Sequence, residues 1–79
     1  MNNKLFVGNL SYSTTDDDLQ TLFGQVGTVS SVNVIKDRDT GRPRGFAFVE
    51  MESQAMAEAA ISSLNGKDLG GRQISVSIS

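Results

Sequence analysis

A chain of 79 residues suffices for one small domain, and at that size folding buries only about 60% of the surface the unfolded chain exposes. It contains neither cysteine nor histidine, which removes disulfides, thiolate sites, imidazole metal ligands and a proton shuttle working near neutral pH. Seven lysines and arginines against nine aspartates and glutamates leave a net charge of −2, a mild argument against a polyanionic partner unless the charges are segregated. No run approaches the roughly 20 apolar residues of a membrane span. The opening "MNNKLFVGNL" has no long apolar run behind Lys4 and does not read as a secretory signal. The absence of cysteine suits a reducing compartment, and a cytoplasmic location is expected.

In chain order, "KLFVGNL" is an apolar run stopped by Gly8 and Asn9 and predicts a strand over residues 4–8. "TDDDLQTLFGQV" predicts a helix. Thr15 is a good N-cap with Asp18 three positions on, Leu19, Leu22, Phe23 and Val26 form one stripe at helical spacing, and Gly27 is expected to end it. "SSVNVIK" alternates through Val32 and Val34 and predicts a second strand. "DRDTGRPR" predicts a hairpin loop with Gly41 at positive φ and Pro43 at its exit. "GFAFVEM" predicts a third strand. "SQAMAEAAISSLNG" predicts a second helix, capped by Ser53, closed by Gly66 and striped by Ala57, Ala60, Ile61 and Leu64. "KDLGGR" reads as a turn, and "QISVSIS" as one last alternating strand.

The order β-α-β-β-α-β contains two strand–helix–strand crossovers, and such crossovers are right-handed in about 98% of cases. With the strands arranged 4-1-3-2, both helices then fall on one face of a four-stranded antiparallel sheet. The expected fold is α+β, a ferredoxin-like sandwich whose other face is bare. Period-two alternation assigns the faces. Leu5 and Val7 oppose Lys4, Phe6 and Gly8; Gly45, Ala47, Val49 and Met51 oppose Arg44, Phe46, Phe48 and Glu50; Ile74, Val76 and Ile78 oppose Gln73, Ser75 and Ser77. The sets richer in polar residues belong on the bare face, and the small Gly45 and Ala47 are expected to fit beneath the helices. Phe6, Phe46 and Phe48 therefore form an exposed aromatic patch on the two central strands, the kind of surface that marks a binding site. The alternative is a flipped register with the three rings in the core, which would bury Arg44 and Glu50 under a helix.

"RGFAFVEM", Arg44 to Met51, resembles the RNP1 signature of the RNA-recognition motif, and "LFVGNL", Leu5 to Leu10, resembles its RNP2 signature, roughly forty residues upstream. The chain resembles this family over essentially its whole length, and its look is that of small stand-alone bacterial members. The departure is Met51, where the pattern asks for an aromatic. Its face assignment puts it in the core, so packing and not ligand contact is affected. The resemblance implies binding of single-stranded RNA, with Phe6 and Phe48 stacking bases, Phe46 against sugars or between bases, and Arg44 on a phosphate. Lys4 is also placed for a phosphate, and Asn33, Glu50, Gln73, Ser75 and Ser77 are placed to read base edges. Arg42, with Lys36 and Arg38, would clamp the backbone from the hairpin loop. Stacking does not sense the 2′-OH, so a DNA single strand is also compatible. The alternative function is a protein-interaction module that docks a peptide on the same face.

Other constellations carry less. Asp16, Asp17 and Asp18 point about 100° apart in succession and do not converge on a metal; they suit a helix N-terminus. Asp37 and Asp39 lack the later ligands of a calcium loop. No histidine activates any serine, so no enzyme, metal or cofactor is expected. Tyr12 is expected to pack its loop. The whole is read as one monomeric domain over residues 1–79.

Overall fold

The computed structural model describes residues 3–11, 13–36, 39–41 and 43–79, with Pro43 and Arg44 described for their backbone alone. Tyr12, Asp37, Arg38 and Arg42 lie outside the described residues, as does the Arg44 side chain. The elements are β1 (Lys4–Gly8), α1 (Asp16–Gly24), β2 (Val29–Lys36), β3 (Pro43–Met51), α2 (Gln54–Leu64), β4 (Asp68–Leu69), β5 (Arg72–Gln73) and β6 (Ser75–Ile78). Four of the strands form an antiparallel sheet in the order β2-β3-β1-β6, while β4 and β5 form a separate two-stranded ribbon. In the order of the sheet's own strands this is the expected 4-1-3-2 arrangement.

The expected faces are observed for Leu5 to Val7 of β1 and Phe46 to Met51 of β3, whereas Ile78, expected on the core side with Ile74 and Val76, is exposed at the end of β6. Leu5, Val7, Ala47, Val49 and Met51 are completely buried, at 0% exposure. They pack with Val34, Ile74 and Val76 against Leu19, Leu22 and Phe23 of α1 and Ala57, Ala60 and Leu64 of α2 in a single core. Both helices therefore cover the same face of the sheet, and the flipped register is excluded. Met51 lies in the core, as its face assignment required, so the departure from the aromatic of the pattern falls on packing.

The helix caps form as their residues dictate. The Thr15 side chain accepts from the Asp18 amide, and the Asp18 carboxylate accepts from the Thr15 amide in return. Ser53 Oγ accepts from the Met56 amide. The end of α1 differs from expectation. The helix stops at Gly24, and the amides of Gln25, Val26 and Gly27 turn back onto the carbonyls of Leu22 and Phe23. This tight turn satisfies the last carbonyls without a left-handed residue, and Gly27 instead lies against Met56.

Two further corrections concern strands. Residues 73–79 do not make one strand. The Ile74 amide and carbonyl bond to Lys67 and Gly66, and the Val76 amide donates to Asn65 Oδ1. The segment after α2 thus covers the outer edge of the sheet, a common protection against unwanted strand pairing. The segment read as a plain turn is a tight hairpin, in which Gly70 and Gly71 both adopt positive φ, 64° and 88°, joining β4 to β5. Finally, Gly45 has φ 86° and sits where the β2–β3 register shifts between Val34 and Lys36. A Cβ there would meet only ordinary contact, 3.6 Å from the Leu10 carbonyl. The site wants glycine for its backbone angle at a bulge, and not for lack of room beneath a helix. Gly41 takes the expected positive φ, 71°. Among the described residues no helix is long and apolar enough to cross a membrane.

Candidate nucleic-acid interface

The bare face is built in rows, because residues opposite one another on paired strands share a side. One row crosses the sheet as Asn33, Phe48, Phe6 and Ser77. The next holds Ser31, Glu50 and Lys4, and on the other side Gly8 stands opposite Ser75. Phe46, two residues before Phe48 on β3, continues the aromatic row toward the Gly8 end. The alternation of β1 and β3 alone puts these rings together, since both strands bury their odd-numbered residues beneath the helices.

The rings contact one another and are each half-buried by that contact. Phe6 and Phe46 stack with centroids 5.6 Å apart and planes 28° apart. Phe48 meets both edge-on, 5.8 Å from Phe6 and 6.3 Å from Phe46. These distances fall in the range of favourable aromatic pairs, so the cluster holds itself in place in the free protein. Lys4 Nζ stands 5.5 Å from the centroid of the Phe48 ring, a cation–π geometry that keeps a positive charge beside the aromatic row. The exposed edges of the cluster offer flat apolar surface with hydroxyl, amide and carboxylate groups around it.

Of the other candidates, Asn33 and Ser75 are exposed on this face, and Glu50 is half-buried on it. Gln73 is not on the sheet. It belongs to β5, and its backbone carbonyl accepts from Asn9 Nδ2 at 2.7 Å. Arg44 is the second residue of β3, but the glycine at positive φ beside it interrupts the alternation, so its face does not follow from period two. Lys36 ends β2 opposite Pro43 and is exposed.

Two residues absent from the expected binding set meet at the end of β1. Asn9 takes a left-handed conformation, φ 58°, and its side chain bridges to the ribbon. Arg72 Nη2 donates to Asn9 Oδ1 at 3.0 Å, which holds an exposed guanidinium near the Phe6–Phe46 end of the sheet. The only sequence signal was the Gly-Gly pair that makes the hairpin. Among the described residues no cluster of carboxylates is arranged to hold a metal.

The RNA recognition motif family model matches residues 5–75. The chain belongs to the RNA recognition motif family. RbpE of Nostoc sp. is 53% identical over 72 residues, covering 91% of this chain and 73% of that protein. The glycine-rich RNA-binding protein 1 of Mycosarcoma maydis is 51% identical over 75 residues, covering 95% of this chain but only 43% of the relative. A solved Sxl-lethal protein/RNA complex matches the fold with a TM-score of 0.93 and 40% identity, covering 99% of this chain and 48% of that one.

Proposed function

We propose that the protein binds single-stranded RNA on the bare face of its sheet. The observation that carries this reading is the cluster of Phe6, Phe46 and Phe48, three rings gathered on the uncovered side of the two central strands. A related domain of the same fold is known in a protein/RNA complex, which supports the reading. Bases stack on Phe6 and Phe48, and Phe46 packs between them or against a sugar. Each stacked base contributes about 1–3 kcal/mol and is accepted whatever its identity, because every base has a π-face. Lys4, Arg44 and Arg72 engage phosphates, with Arg42, Lys36 and Arg38 available from the loop side. Asn33, Glu50, Ser75 and Ser77 offer hydrogen bonds to base edges.

Fluorescence anisotropy with a short unstructured RNA, and with DNA of the same base order, tests this. Micromolar binding is expected for one domain, weakened by Phe6→Ala and by Phe48→Ala. Absence of binding to any single strand at high micromolar concentration overturns the reading and favours peptide docking on the same face. Equal binding of RNA and DNA shows that stacking dominates and that the 2′-OH is not read.

A further inference from the structure

We infer that Gly8 is a positioning residue for the Phe6 ring, an inference that rests on the RNA-stacking reading of that ring. Gly8 lies two residues beyond Phe6 on the same face of β1, and the ring leans along the strand over it. A Cβ built on Gly8 would come within 2.9 Å of Phe6 Cε1, 3.5 Å of Cζ and 3.9 Å of Cδ1. The backbone does not explain the glycine. Gly8 is absent from the positive-φ residues, unlike Gly41, Gly45, Gly66, Gly70 and Gly71. It sits in a regular strand, paired with Ser75. What covers it, and makes it a buried residue on an otherwise open face, is the aromatic ring.

An added methyl group would therefore displace the ring and not the strand. To regain an ordinary carbon–carbon separation of about 3.5–4.0 Å, Cε1 would have to retreat by roughly 0.6 Å or more. The ring is the far end of a side chain and moves by torsion, whereas β1 is held between β3 and β6. Retreat from Gly8 also disturbs the 5.6 Å stack on Phe46. Glycine at this position thus sets the height and tilt of the base-stacking surface before any ligand arrives, in the manner of a preorganised site.

The test is a double-mutant cycle of Phe6→Ala and Gly8→Ala, read by anisotropy with a short RNA and by thermal melting. Phe6→Ala is expected to weaken binding roughly 5- to 150-fold, the fold-change corresponding to loss of one stacked base. Gly8→Ala should melt within a few degrees of wild type, shift the Phe6 ring protons in the free protein, and weaken binding by about 3- to 10-fold, part of the same stacking effect. In the Phe6→Ala background, Gly8→Ala should have no further effect. A Gly8→Ala chain that binds normally while Phe6→Ala does not overturns the inference and leaves the RNA reading intact. Equal loss with and without the Phe6 ring overturns it too, because glycine would then act on the ligand directly. Marked destabilisation by Gly8→Ala assigns the glycine to the fold and overturns it as well. If Phe6→Ala itself leaves binding unchanged, the stacking reading fails and the inference falls with it.

Discussion

At the scale of single residues, neighbours on one strand have opposite duties. Phe48 lies on the bare face, and Val49 beside it is completely buried. Phe48→Ala should weaken RNA binding by about 1–3 kcal/mol. Its ring packs against Phe6 and Phe46, so a stability loss on the order of 1 kcal/mol accompanies it. Val49→Ala should cost about 1.5–3 kcal/mol of stability through lost burial and the cavity left behind, with binding nearly unchanged. Urea denaturation and anisotropy on both variants check the pair, and the reversed pattern would contradict the face assignment. Charge and stacking separate in the same way. Arg44→Glu should weaken binding uniformly across base sequences, because phosphates carry no sequence information. Its effect should shrink as salt rises, whereas that of Phe6→Ala should hardly depend on salt. Titrations at two ionic strengths distinguish them.

At the scale of elements, the caps and the bulge are local devices with predictable weight. Ser53→Ala removes the acceptor for the Met56 amide and should cost about 1 kcal/mol. Gly45→Ala introduces no clash but forces an L-residue to φ 86°, which should cost about 1–2 kcal/mol. Both are measurable as shifts in urea midpoint at constant slope. The ribbon of β4 and β5 has a different duty. It packs its Gly70 close to Ser11 and ties Arg72 and Gln73 to Asn9, so it fixes where one cation stands relative to the end of β1.

At the scale of the whole molecule, the net charge of −2 is compatible with a phosphate-binding face because part of the acidic charge stands away from that face. Asp16, Asp17, Asp18 and Glu58 stand exposed on the two helices, on the far side from the aromatic cluster. On the bare face Lys4 sits beside Phe48, with Glu50 opposite it. Two or three phosphate contacts at once imply a slope of log affinity against log salt of roughly −1.5 to −2 for a single strand. A salt titration checks this, and a slope steeper than about −4 would require basic surface beyond this domain.

Much of this was legible from residue order because period-two and period-3.6 patterns report which side of an element is dry. Leu5, Val7, Val49 and Met51 could be placed in the core, Phe6, Phe46 and Phe48 outside it, and the caps at Thr15 and Ser53 found, from local spacing alone. Alternation says nothing about which chain segment a backbone group will bond to. Only the closed fold could break the last strand at Ile74, whose side chain keeps the expected side while its amide and carbonyl turn to Lys67 and Gly66. The same holds for the bulge at Gly45, the Asn9–Arg72 contact across 63 positions of sequence, and the Phe6 ring resting on Gly8. Each depends on a distance between groups that the chain brings together only when the sheet, the ribbon and the helices have all docked.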